Sequence, residues 1–398
     1  MLKAIREGKS AWLAARMGVA TAGCLAAFLF MVAIDRVAAL ALEGREALIF
    51  APNSRFRLKT SEFDFEAHIN SFGFRDRPFR LTEPGVTRVL AIGDSFTYGW
   101  GVQDSEPWPK VVERDLSRLG LPIEIANLGR PGAGPEQYLE IAQAAVPLLK
   151  PRWIIVGLLQ GDDLSQSKPG PAERKAKAPP VLTALYPTLS QIPALLADKP
   201  PVVTAEESRR KWREQARALL VRLKPRERKR FDSLDPSLRE RFLAGDANPD
   251  IVAIALHRPD YSSWLLDESS TEVQSKVMSM ADRLARIREL AQAYGARVIV
   301  VSIPNWPYVS HSASLRRIGF VLNGNMLSTD APDDEARQAC REAGIDRFLS
   351  VTDEIRQRAA EGAALYYALD GHFTREGHKA FADALAPQLW QILSDQRT

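Results

Sequence analysis

Histidine and cysteine are scarce in this chain, with five and two among 398 residues. Of the two cysteines, Cys24 sits in an apolar N-terminal run and Cys340 far from it, which argues against an internal disulfide. That absence fits either side of a membrane. No Cys/His spacing suits zinc, and no metal is expected. No G-x-G-x-x-G and no Walker lysine follows the glycine-rich turns, which argues against dinucleotide and P-loop phosphate binding. Charge of one sign is also lacking. The 53 Lys and Arg face 49 Asp and Glu, a net +4 that is too mild to imply nucleic acid. No internal repeat is evident. What remains is ordinary globular composition, 45% hydrophobic and 26% charged, long enough for one large domain with additions or for two.

One segment is long and charge-free: "MGVATAGCLAAFLFMVAI", residues 17–34. Its 18 residues are near the lower limit for a spanning helix. Lys3, Arg6, Lys9 and Arg16 precede it against the single acid Glu7, whereas the charges after it roughly balance. The positive-inside rule then predicts a cytoplasmic N-terminus, with everything beyond about residue 40 outside. A cleavable signal peptide is the rival, since "ALA" at 39–41 suits a cleavage enzyme, but Asp35 and Arg36 intervene. A buried core helix is the third reading. The signal anchor is favoured on length and flanking charge.

Beyond it the pattern alternates. Apolar runs at 88–94, 123–129, 153–159 and 296–304 read as buried strands, and 364–370 as a short fifth. Helical segments are expected at about 106–119, 135–149, 271–294, 333–343 and 375–394. Such alternation predicts a parallel sheet covered by helices on both faces, with ligands bound beyond the carboxyl ends of the strands. Residues 41–86 read as a lead-in. Residues 165–262 break the alternation and read as a charged helical insertion, opened by a Pro/Lys-rich linker. Its charge is read as a solvated helical face, the alternative being a cap for an acidic glycan or a partner. The expected domains are therefore 1–40, tail and anchor; 41–86, lead-in; 87–164 with 263–398, the α/β domain; and 165–262, the insertion.

The chemistry-bearing residues cluster at the expected strand ends. In "AIGDSFTYGW" Ser95 follows the first strand, and Ser or Asp there is also an ordinary helix cap. A nucleophilic serine needs a base, a group that orients the base, and donors for the oxyanion. "LDGHFTREGH", 369–378, offers Asp370 and His372, two residues apart. His378, on the helix that follows, is read as a packing residue. "NLGRPGAG" places Gly132 where a backbone N–H can approach the serine. Tyr98, Trp100, Trp108, Trp306 and Tyr308 flank these positions. Most are expected to pack, with Trp306 and Trp100 the candidates for substrate contact.

"GDSFTYGWGV", "NLGRPGAGPEQY", "QGDD" and "LDGHFTREGH" stand in the order of the four blocks of the SGNH (GDSL) hydrolases, and the chain resembles that family over about 68–163 and 296–390. The "DGH" form of the last block resembles the membrane-attached enzymes that acetylate bacterial exopolysaccharides such as alginate. The resemblance implies a three-layer α/β/α sandwich on a parallel five-stranded sheet, flavodoxin-like in order. It implies Ser95 as nucleophile, His372 as base and Asp370 as its partner, with the Ser95 and Gly132 N–H groups in an oxyanion hole. It implies no metal or organic cofactor. The substrate it implies is an ester-bearing glycan or lipid, with acetyl the favoured acyl group. The expected setting is the bacterial inner membrane, with the catalytic domain periplasmic and polysaccharide assembly proteins as partners. One departure stands out. The family's third block supplies an Asn donor, and here Asp162 holds that position. An ionised Asp cannot donate, and losing one oxyanion donor costs about 10²–10³ in rate. A protonated Asp162 or a substitute such as Gln160 would rescue the site. Otherwise the chain is a slow enzyme or a silent scaffold of a polysaccharide assembly machine.

Overall fold

The computed structural model describes residues 19, 21, 23, 25–35, 48–78, 85–168, 201–310, 313–322 and 326–394. The chain divides into two compact units, residues 1–46 with 174–199, and residues 47–173 with 200–398. In the first unit the unbroken described helix is residues 25–35, with Leu25, Leu29 and Phe30 exposed. Among the described residues no helix is long and apolar enough to cross a membrane. The transmembrane helix expected over 17–34 is therefore not found there. Residues 17, 18, 20, 22 and 24 of that segment lie outside the described residues, as do 169–200 of the linker.

The second unit opens with an antiparallel hairpin, β1 (Arg55–Lys59) and β2 (Asp64–His68). Then come β3 (Thr87–Gly93), β4 (Ile123–Gly129), β5 (Trp153–Leu159), β6 (Val202–Val203), β7 (Arg297–Ile303) and β8 (Phe348–Leu349). β6 joins the hairpin, parallel to β1. The other five form one parallel sheet in the order β4-β3-β5-β7-β8. Its strands are buried on both faces and sort their side chains with period two. Val89, Ala91, Ile155, Ile299 and Val301 enter one core, and Leu90, Ile92, Ile154, Val156 and Val300 the other.

The helices are α1 (Ser95–Tyr98), α2 (Trp108–Arg118), α3 (Pro135–Leu149), α4 (Asp162–Gln166), α5 (Ala205–Arg222), α6 (Pro225–Asp232), α7 (Pro236–Ala244), α8 (Pro249–His257), α9 (Thr271–Ala293), α10 (Ala313–Ile318), α11 (Ala331–Glu342), α12 (Thr352–Ala360) and α13 (Arg375–Ser394). α3, α9 and α11 cover one face of the sheet, and α2, α12 and α13 the other. From β3 the chain crosses by α2 to β4 on one side, then by α3 to β5 on the other. The carboxyl end of β3 is thus the topological switch point, where open α/β sheets bind ligands.

One expectation needs correction and another is extended. Residues 364–370 are not the fifth strand, whose place is taken by the two-residue β8. Their strand-like composition serves a loop that folds back on itself. Tyr367 N bonds His372 O, Gly371 N bonds Tyr367 O, and Gly371 turns the chain at φ +79°. Asp370 and His372 accordingly sit on a loop between α12 and α13, not at a strand end. The insertion is more than a solvated face. α5 to α8 enclose Phe231, Leu238, Phe242, Val252 and Leu256, and close onto Trp306, Ile318 and Phe320. The lead-in hairpin packs Leu58, Phe65 and Ala67 against Tyr98, with Trp100 and Trp212 at the edge.

Candidate active site

The turn after β3 is shaped by its neighbours' lack of side chains. A Cβ on Gly93 would lie 2.1 Å from Thr97 Oγ1, and one on Gly129 would lie 2.1 Å from Tyr98 N. Only glycine at the ends of β3 and β4 lets α1 sit directly on the sheet edge. Asp94, not Ser95, is the cap: its Oδ1 accepts the N–H of Phe96 at 2.9 Å. Ser95 is the first helical residue, its side chain half-buried and free to face outward, and Gly99 ends the turn in the left-handed region.

Ser95 Oγ is 2.7 Å from His372 Nε2. The other ring nitrogen, Nδ1, is in short contact with Asp370 Oδ1. Asp370, 3% exposed, is itself held. Its Oδ2 accepts from Asn248 Nδ2 at 3.0 Å, and its backbone N–H and that of Leu369 donate to the Glu62 carboxylate, each at 2.9 Å. Asn248 belongs to the insertion and Glu62 to the hairpin, so two additions to the sheet fix one loop. The imidazole ring packs on Phe96, with centroids 5.0 Å apart, and beside Trp100. Burial pushes His372 down. The charge of Asp370, the bond to it, and the charges of Asp94 and Asp162 outweigh burial and leave the imidazole above its ordinary value. Burial, then the Asp162 charge, pushes Asp94 up to about 7.

The relay opens on a cleft of about 510 Å³. Ser95 and Gly132 both line it, and among the described residues neither backbone N–H has a hydrogen-bond partner. Asp162 lines it as well, but its carboxyl accepts from Tyr261 Oη and from Gln166 Nε2, the latter at 2.6 Å. It is therefore bonded as an acceptor, not aimed as a donor, although burial raises its pKa. Gln160 is no substitute. Its amide is consumed in a buried network with Asp333, Thr352 and Asn305. Trp306 is 6% exposed and lies under Gly371 and against Phe320, so most of its surface packs and only an edge meets the cleft. Trp100 is half-buried, packed on Phe56 and Phe65, and also lines the cleft. The insertion adds Lys211, Trp212, Asn248, Asp250, Ile251, Ile254 and Tyr261 to the wall. His378 is wholly buried, its Nδ1 accepting from Trp108 N at 3.2 Å, and burial lowers it to about 3. Among the described residues no group of three or more His, Cys, Asp or Glu side chains is arranged to hold a metal.

A profile described as the GDSL-like lipase/acylhydrolase family matches residues 91–380. Among solved structures, the chain is similar to TesA, at 12% identity over 77% of this chain and 99% of that one, TM-score 0.38. It is similar to the psychrotrophic esterase EstA from Pseudoalteromonas sp., at 9% identity over 77% and 99%, TM-score 0.35. It is also similar to an acetyl xylan esterase, AlAXEase, at 10% identity over 76% and 99%, TM-score 0.38. No curated protein matches it in sequence. The family assignment rests on the profile match alone.

Proposed function

Because this chain belongs to the GDSL-like lipase/acylhydrolase family, we propose that it is a serine esterase or O-acyltransferase. Ser95 is the nucleophile, His372 the general base and Asp370 the group that orients it. The observation that carries this reading is the unbroken relay from Ser95 Oγ through both ring nitrogens of His372 to a buried carboxylate. Ser95 Oγ attacks the ester carbonyl carbon as its proton passes to His372 Nε2. The oxyanion that forms is met by the unpartnered N–H groups of Ser95 and Gly132. The ester C–O bond then breaks, and His372 returns the proton to the departing alcohol. Water, or a second alcohol, loses a proton to His372 and attacks the acyl carbon; the acyl–Oγ bond then breaks as His372 returns that proton to Ser95 Oγ.

The aromatic edges of Trp100, Trp212, Trp306 and Phe320 around the cleft suit the apolar faces of sugar rings. We take the substrate to be an acyl, foremost acetyl, ester of an envelope glycan or glycolipid. The charge-free residues 17–34 behind four basic residues support a chain tethered to the bacterial inner membrane with this site in the periplasm, beside polysaccharide assembly proteins. The engaged carboxyl of Asp162 favours a second reading, a silent binding protein on the same fold. The test is turnover of p-nitrophenyl acetate by the full chain in detergent, beside Ser95→Ala, with fluorophosphonate labelling. Turnover and labelling that vanish in the variant support the esterase. Absence of both in the wild type overturns it in favour of the binding protein.

A further inference from the structure

A second cleft, of about 550 Å³, opens between α6, α8 and residues 316–319. Its charged lining is Arg226, Lys229, Arg230, Arg316 and Arg317, with Asp235 the single acid, a net of four positive charges in one recess. Arg317 lies 3.5 Å from Asp235, and Arg230 donates to Leu256 O at 2.7 Å. Arg226, Lys229 and Arg316 have no side-chain hydrogen bond or ion pair among the described residues. The sequence behind it is as one-sided. Residues 209–230 hold eleven Lys and Arg against Glu214 and Glu227. α8 is a wall shared by two clefts of opposite character. Its Ile251 and Ile254 line the Ser95 cleft, which carries Asp94, Asp162, Asp250 and Asp370, while Ala255 and Leu256 line the basic one. A solvated surface intersperses its charges. Five cations gathered in a concavity repel one another, and low-dielectric walls focus their field on whatever enters.

The chemistry of the lining selects the ligand. Guanidinium forks match the paired oxygens of phosphate, and a lone carboxylate would leave most of the charge unmatched. We propose that this cleft binds a phosphate-bearing ligand, a phosphomonoester or diphosphate. It is distinct from the ester site and does not depend on the reading of that site. The group is carried either on a soluble molecule or on a lipid headgroup.

Calorimetric titration of the full chain with inorganic pyrophosphate tests this, beside Arg226→Ala/Lys229→Ala/Arg316→Ala. The three side chains belong to exposed or cleft-lining positions outside the relay, so p-nitrophenyl acetate turnover and the melting temperature serve as controls for folding. The expected result is saturable binding with Kd below about 1 mM at low salt, weakened at least about tenfold in the variant and screened by salt. No saturable binding by the wild type, or equal affinity in the variant, overturns the proposal. Sedimentation with phosphatidic acid vesicles against phosphatidylcholine vesicles then separates the sources, read as the difference between wild type and variant. A difference identifies a headgroup. No difference, with pyrophosphate binding intact, identifies a soluble phosphate ester.

Discussion

Asn248 is where the insertion reaches the relay, and its two bonds can be separated by mutation. Nδ2 donates to Asp370 Oδ2 at 3.0 Å, and Oδ1 accepts the N–H of Asp250 at 3.0 Å, capping α8. Asp370 is 3% exposed, so water replaces a lost donor poorly. A hydrogen bond to a charged group contributes about 1.5–3 kcal/mol, and an N-cap about 1 kcal/mol. Asn248→Ala removes both. Asn248→Ser keeps a capping oxygen and removes only the donor to Asp370. If the donor holds Asp370 in line with His372, its loss falls on the transition state. Both variants should then lose about ten- to a hundredfold in kcat/KM on p-nitrophenyl acetate, carried by kcat. In a domain of this size the missing cap should lower the melting temperature of the Ala variant by about 1–2 °C more than that of the Ser variant. Asn248→Ser with wild-type kcat/KM would refute the reasoning. Asn248 would then be a helix cap that happens to touch Asp370.

Four further outcomes follow from the same geometry. His372 acts as a base only when neutral and is held above its ordinary 6.5, so kcat/KM should reach half its plateau at a pH above that value. Asp162→Asn removes one of the charges that raise it. The acid limb should move down and kcat should rise about tenfold or more as the oxyanion loses a repulsive neighbour; a pH–rate profile with an unmoved limb would count against the Asp162 argument. Gly129→Ala drives a methyl into Tyr98 N at 2.1 Å, displacing the Ser95 turn, and should abolish fluorophosphonate labelling while the protein remains folded by circular dichroism. Asp94 holds its proton to about pH 7 when folded and only to about 3.8 when unfolded, so the folded chain binds more protons between those values. Its contribution to stability therefore falls as pH rises from about 4 to about 7 and levels off above that, and the melting temperature of Asp94→Asn should fall less steeply over that range than that of the wild type.

The four strands with strong apolar runs, 88–94, 123–129, 153–159 and 296–304, were legible because each is buried on both faces and needs no partner to announce itself. The edge was not. β8 is two residues long, while 364–370 has the better strand composition but is turned back by Gly371. Ser95, Asp370 and His372 were legible because short-range spacing brings the acid and base together and a glycine-flanked turn exposes the serine. Asn248 and Glu62 were not, since they meet Asp370 across 122 and 308 residues. Locally, Asn248 before Pro249 reads as a helix cap, which it also is. Tyr261 was hidden in the same way. Nothing near Asp162 in sequence tells that a tyrosine 99 residues away occupies its carboxyl.

These long-range partners change what the insertion and the lead-in are. The loop bearing Asp370 and His372 has no strand of its own to fix it; the bridge from Tyr366 to Phe373, a few turn bonds, the bond from Tyr366 Oη to Pro304 O and the burial of Leu365 and Phe373 in the core hold it on the sheet side. Its remaining constraints come from outside the sheet. Glu62 accepts two of its N–H groups, Phe63 packs at a tilt against Tyr367 with centroids 5.0 Å apart, Tyr367 Oη donates to Gly101 O at 2.9 Å, and Asn248 takes the free oxygen of Asp370. Glu62 is half-buried and pushed up by burial, a cost that makes sense only if its carboxylate is needed where it stands. The sheet alone therefore supplies the serine turn, while the alignment of base and acid depends on the hairpin and the insertion packing correctly. Whatever moves α8 or the β1–β2 turn moves Asp370 with it, so the walls that select the ligand also set the geometry of the relay.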